Sequence, residues 1–188
     1  MQASKRLPRP YPDTFLMDYS KEHLFYEVDM FFEMNRIRSG LSMSKLALIG
    51  RPEMINNALL ESFVIHFRNI IEFLYEDGRK GKVHASDFCD AGVWKVKRPR
   101  YSNTLKEANI RANEEMAHPA INRIAGSPPE KNWDFGGLAL EIKTILLLFT
   151  ELARLTRLHT NVRQAIPIIV GPIPIPTSLS ISVVIPPK

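Results

Sequence analysis

The sequence predicts an all-α protein, a four-helix up-down bundle followed by a Pro-rich extended C-terminal tail. Three observations predict it. Between the two ends, four segments repeat apolar residues at helical spacing. The same interval lacks a period-two run of the kind a half-buried strand needs. Nine of the 14 prolines fall in the first 12 or last 22 residues, which leaves the middle free to form long helices. The organisation that follows is an extended N-terminal arm over 1–19, a helical bundle over 20–160 and a tail rich in Pro, Ile and Val over 161–188.

The first helix is expected to begin near Ser20, to turn Leu24, Val28, Phe31 and Phe32 inward, and to stop by Gly40, a residue suited to a left-handed exit. Residues 41–50 are a connector. The second helix starts around Pro52, where a first-turn proline costs nothing, and runs through INNALLESFVIHFRNIIEFLYE to Asp77-Gly78. Projected as a helix, Leu60, Phe63, Val64, Phe67, Ile71 and Leu74 share one face while Ile65 and Phe73 fall nearly opposite. A helix that is apolar on more than one side is central, so its polar residues Glu61, His66, Arg68, Asn69 and Glu72 must find partners. Glu61, Arg68 and Glu72 recur at seven and four residues, close to one azimuth, and are expected to form a charge network.

The third helix begins after Ser102 with Leu105, Ala108, Ala112 and Met116 inward, and a stop or kink belongs at His118, before Pro119. The fourth is expected from about Phe135 to His159, with Leu138, Ile142, Ile145, Leu146, Phe149, Leu152 and Ala153 as its core stripe. The tail IPIIVGPIPIPTSLSISVVIPPK alternates Pro with Ile and Val, so it reads as extended and unable to close a helix.

Composition bounds the chemistry. A chain of 188 residues, 45% hydrophobic and 24% charged, is long enough to bury a core without metal or disulfide help. Its single cysteine, Cys89, excludes an intramolecular disulfide and a multi-thiolate zinc site, and its acidic neighbours argue against a reactive thiolate. Glu115-x-x-His118 is half of a bundle metal pattern, and no second Glu-x-x-His completes it, so neither metal nor cofactor is expected. The basic N-terminus lacks the apolar run of a secretory signal, and six prolines interrupt the long uncharged stretch near the C-terminus. The expected location is therefore cytoplasmic, with no membrane span. In HASDF, residues 84–88, Ser86 or Asp87 can cap a short turn while Phe88 inserts beneath it. Trp94 and Trp133 are expected to seal the bundle ends, each indole donating to a carbonyl.

The segments ALLESFVIHFRNIIEFLY, VHASDF and NEEMAH, with a tryptophan between the last two and a further Arg and Trp beyond, resemble a family of uncharacterised prokaryotic helical-bundle proteins. The resemblance spans about residues 22 to 150. That family in turn resembles the HEPN helical bundles, which include metal-independent endoribonuclease toxins, RNA-sensing effectors and inactive partner proteins. The HEPN comparison implies an Arg, a following polar residue, and a His beyond four to six intervening residues. Arg68-Asn69 matches the first half, whereas the His positions hold Phe73, Leu74 and Tyr75. Arg111 and His118 have six residues between them, but no Asn follows that Arg. Cleavage of RNA through its own 2′-hydroxyl needs a proton acceptor near neutral pKa and a cation for the phosphate, so the catalytic trio to consider is Arg68, Asn69 and His118. The resemblance also implies a homodimer. Two readings stand side by side: a non-catalytic or regulatory bundle acting through protein and nucleic-acid contacts, and a HEPN-like endoribonuclease with an incomplete motif.

Charge is unevenly placed. From Arg79 to Arg111 there are nine Lys and Arg against three Asp and Glu, a local +6 in a chain of net +5. Within it WKVKRPRY interleaves Trp94 and Tyr101 with Lys95, Lys97, Arg98 and Arg100, a composition able to contact phosphates and stack a base. RNA or another polyanion is the partner this segment implies, and a solvated connector is its alternative.

Overall fold

The computed structural model describes residues 10–40, 50–77, 81–115 and 133–171, and among these it is all-helical with no strand. Helix α1 (Asp13–Tyr19) passes through a π turn at Ser20–Leu24 into α2 (Phe25–Gly40) without leaving helical dihedrals. The long α3 (Pro52–Tyr75) follows, then two short turns of helix, α4 (Ala85–Phe88) and α5 (Val93–Lys97). The chain continues through α6 (Asn103–Glu115), α7 (Phe135–Leu152) and α8 (Thr160–Ile169).

Ring pairs fix the helix directions. Phe31 of α2 meets both Phe63 and Phe67, while Glu27, one turn earlier, reaches His66 and Asn69, so α2 and α3 run antiparallel. Phe63 meets Phe135 and Phe73 meets Phe149, so α3 and α7 run parallel. The core is the apolar side of these helices. Phe31, Phe63, Phe67, Ile70, Ile71, Leu74, Phe88, Leu105 and Phe149 are all fully buried within it. Phe149 is a hub, with Phe73, Phe88 and Trp94 arranged edge-on around it at 5.2–5.8 Å. Such edge-to-face pairs add to the burial of each ring.

Local signals explain most boundaries. Pro52 occupies the first turn of α3, where its missing N–H would be unbonded in any case. The Asp134 carboxylate caps α7 by accepting from the Gly137 N–H at 2.8 Å. A Cβ at Gly137 would meet that carboxylate at 2.1 Å, so a larger residue there would make the Asp134 side chain shift. Gly92 precedes α5 at φ +77°, a left-handed conformation that glycine adopts without a steric cost.

Three expectations are corrected. The extended arm over 1–19 is helical from Asp13 onward, burying Leu16 and carrying Phe15 and Tyr19 against the core. The fourth helix ends at Leu152 rather than His159, because long-range partners take its terminal groups: the Arg154 N–H donates to the Phe88 carbonyl, and the Arg163 guanidinium donates to the Thr150 and Ala153 carbonyls. The tail region opens with helix α8, which tolerates Pro167 in its last turns while Val162, Ile166 and Val170 bury one face at four-residue spacing. The connector at 41–49 and the rest of the tail, 172–188, lie outside the described residues.

The N-terminal helix is tied to the turn after α7. Asp13 accepts from the Thr156 hydroxyl at 2.6 Å and from Arg157 Nε at 2.7 Å, while an Arg157 η nitrogen donates to the Asp87 and Cys89 carbonyls. The hydroxyl bond first, and then Arg157, holds the Asp13 carboxyl below the usual carboxylate range. A depressed folded pKa gives stability that is complete above the unfolded value of about 3.9 and is lost as pH falls through the folded value. Asp13 is 41% exposed, so solvent screening keeps the contribution small. Asp13→Asn should therefore unfold at lower urea than the wild type at pH 7, and the gap should close as pH falls below the ordinary carboxylate range and through the depressed folded pKa. A gap independent of pH would rule out the tether as its source. In the core, Phe149→Ala should cost about 3–5 kcal/mol in urea unfolding, whereas Ile65→Ala, at a side chain 53% exposed, should change it by under about 0.5 kcal/mol.

Candidate functional site

The polar residues of α3 divide by azimuth. His66 and Asn69 lie three residues apart on the side facing α2, where Glu27 projects from the turn just past the π segment. One oxygen of Glu27, Oε2, accepts from Asn69 Nδ2 at 3.0 Å and sits 2.7 Å from His66 Nδ1. The edge of Tyr26 closes over the imidazole at 5.4 Å, leaving His66 only 7% exposed. The carboxylate thereby fixes the imidazole orientation and satisfies the amide that follows Arg68.

Arg68 itself is two residues from His66, roughly 200° away around the helix, and half-buried on another side. Among the described residues no hydrogen bond or ion pair joins Glu61, Arg68 and Glu72 as the expected charge network would. Glu61 is exposed, and Glu72 pairs with Lys82 instead. Lys82 lies beyond the helix end, and its flexible ammonium reaches that carboxylate directly. No described imidazole bonds to Arg68. His118 lies outside the described residues, so the trio Arg68, Asn69 and His118 is represented only by its first two members. Arg111, the other cation considered, stacks on the Trp133 ring at 4.7 Å.

The basic segment is rearranged relative to its sequence reading. Trp94 is 1% exposed on α5 and donates its indole N–H to the Leu74 carbonyl at 2.8 Å. An Arg98 η nitrogen donates to the same carbonyl at 2.9 Å and to the Tyr75 carbonyl, and the guanidinium pairs with Asp77 at 3.1 Å. Two residues assigned to nucleic-acid contact are therefore occupied in closing the C-terminus of α3, whose last carbonyls have no partner within the helix. Tyr101 stacks on Tyr75 at 4.3 Å with rings 13° apart, and burial, followed by the Tyr75 neighbour, pushes its phenol up to about 12. Lys95, Lys97 and Arg100 remain exposed.

HASDF behaves as a capped turn. Asp87 Oδ2 accepts from the His84 N–H at 2.8 Å and Phe88 is fully buried. Sequence reasoning missed His84, which is 1% exposed with both ring nitrogens unbonded, and no periodic signal marks it. Cys89 is buried, and burial, with Asp90 beside it, raises its thiol to about 11, which keeps it protonated and inert. Trp133 is buried before α7 as expected, but its indole N–H meets no carbonyl. Among the described residues no group of three His, Cys, Asp or Glu is placed to hold a metal ion, and no helix is long and apolar enough to cross a membrane.

No protein-family model matches the chain, and no curated protein or solved structure matches it significantly.

The shared carboxylate makes a direct prediction. Glu27→Ala leaves the buried His66 imidazole and the half-buried Asn69 amide without this partner and should cost about 1–3 kcal/mol in urea unfolding. Glu27→Gln retains an acceptor and should cost less. A double-mutant cycle with His66→Ala should return a coupling above about 0.5 kcal/mol, and additivity would show that the pair is incidental.

Proposed function

We propose that the chain is a non-catalytic or regulatory helical bundle that acts by contact, through protein surfaces and through a cationic surface suited to RNA or another polyanion. In this reading α2, α3, α6 and α7 are the four staves of an HEPN-like up-down bundle, and the working unit is a homodimer. The antiparallel α2–α3 pairing and the parallel α3–α7 pairing support the arrangement.

The observation that carries the proposal is the Glu27 carboxylate. It engages both the imidazole nearest to Arg68 in sequence and the amide that follows Arg68. A general base for RNA cleavage has to share a cleft with the cation that steadies the phosphate. His66 faces α2 and Arg68 does not, so this side of α3 holds the fold together and leaves no such pairing. The fate of the cations agrees. Arg98, Arg157 and Arg163 are spent on backbone carbonyls, a structural use, while Lys95, Lys97 and Arg100 face solvent.

Purified protein incubated with mixed RNA in the presence of a chelator should leave it intact, at the level of Arg68→Ala and His118→Ala controls. Cleavage by the wild type that both substitutions abolish would establish the alternative, a HEPN-like metal-independent endoribonuclease.

A further inference from the structure

The cationic surface can be specified further, on the basis of the polyanion reading above. We propose that α5 and the extended turn leading into α6 form a contact for a chain of phosphates that takes no information from bases.

The argument rests on which groups of the basic segment remain available. A surface that reads single-stranded bases offers aromatic rings on which they stack. Both aromatics here are committed: Trp94 lies inside with its N–H on the Leu74 carbonyl, and Tyr101 has one face against Tyr75. The ammonium of Lys106 lies 5.7 Å from the Tyr101 ring centroid. Of the two planar forks suited to a guanine edge, Arg98 is held by two carbonyls and Asp77, which leaves Arg100 alone, with no aromatic ring free beside it to stack the base it would read.

What faces outward is Lys95, Lys97, Arg100 and Lys106, with Val96 at 81% exposure between the first two. Lysine ammonium groups are point charges that bind phosphate without demanding a planar partner. Of the neighbouring acids, Glu141 accepts from Ser102 and Glu76 lies near Tyr101, and among the described residues no ion pair ties down Lys97, Arg100 or Lys106. Asp77 is taken up by Arg98 and lies 3.9 Å from Lys95, and Glu107 stands on the exposed side of α6. From Lys97 to Arg100 the chain can span about 10 Å, enough for the cations to follow successive phosphates rather than converge on one. The ligand chemistry is therefore a phosphate chain, supplied either by the nucleic-acid backbone or by inorganic polyphosphate.

The test uses the full-length protein with fluorescent adenine and uracil homopolymers, an abasic phosphodiester oligomer of equal length, and inorganic polyphosphate as competitor. The three oligomers should bind within about twofold of one another, and polyphosphate should displace them, the ratio of its midpoint to that of unlabelled RNA assigning the source. Four contacts predict a log–log salt slope of about −2.8, and Lys97→Glu/Arg100→Glu should flatten it by about 1.4 and weaken every oligomer at least about tenfold at low salt. Both positions are exposed, so the double variant should keep the wild-type melting temperature. A preference above about tenfold for one base, or failure of the abasic chain to bind, overturns the inference while leaving a polyanion contact in place. Absence of binding by all four ligands at low salt would remove the polyanion reading itself.

Discussion

A 24-residue helix that is apolar around most of its circumference has to be surrounded, and α3 imposes that requirement on the rest of the chain. It buries Leu60, Phe63, Val64, Phe67, Ile70, Ile71, Phe73 and Leu74, which together leave no side wide enough to face water without cost. Enclosure on that scale desolvates whatever polar groups the helix carries. Each must then be met by a partner or kept at the margin. His66 and Asn69 are met by Glu27, Glu72 by Lys82, and Glu61 and Ile65 stay on the exposed strip. The division between bonded and exposed groups on α3 thus follows from where α2, α6 and α7 fall around it.

The same requirement applies along the axis. Helix α3 ends at Tyr75 beneath the loop that carries α4 and α5, and the carbonyls of its last turn are covered there. Trp94 and Arg98 converge on the Leu74 carbonyl, one from the short helix and one from just after it. The arrangement couples closure of the helix end to packing of the Phe149 hub, because the indole that donates outward to Leu74 also presents its ring to Phe149. Arginine repeats the device elsewhere: Arg163 covers the end of α7, and Arg157 covers the carbonyls that follow α4. A guanidinium with several donors can close two carbonyls that diverge at a helix terminus, which a single hydroxyl, with one donor, cannot.

How much of this was legible in the sequence depended on whether the deciding contact was local. The starts of α3 and α7 were readable because Pro52 and the Asp134–Gly137 cap act within one turn, whereas α3 stops at Tyr75, short of the Asp77-Gly78 signal. The burial pattern of α3 was readable because azimuth is a property of the helix alone. The end of α7 was not, since ELARLTRLHT is compatible with continued helix and the chain leaves it for carbonyls and guanidinium groups far along the sequence. Helix α8 was masked by Pro167, whose lost N–H falls where only a last turn remains to be disturbed. The pairing of charged groups failed for the same reason as the end of α7. Azimuth placed Glu61, Arg68 and Glu72 together, whereas Glu72 takes its partner, Lys82, from beyond the helix end and Glu61 stays in solvent, neither of which a single-helix projection contains.

The basic segment shows how burial decides function after composition has suggested it. WKVKRPRY reads as one surface when its residues are weighed equally, and the fold separates it into two populations. Large planar groups gain most from leaving water, so Trp94 is drawn into the Phe149 cluster and Tyr101 against Tyr75. Arg98 follows them because its fork can satisfy buried carbonyls while its charge is met by Asp77. The lysines have the opposite balance: a compact, strongly hydrated charge gains little from burial, and Lys95 meets Asp77 at 3.9 Å while staying in solvent. Lys95 and Lys97 consequently remain in solvent. The aromatic rings and the Arg98 guanidinium are consumed by stability, and the cations the segment leaves in solvent are Lys95, Lys97 and Arg100.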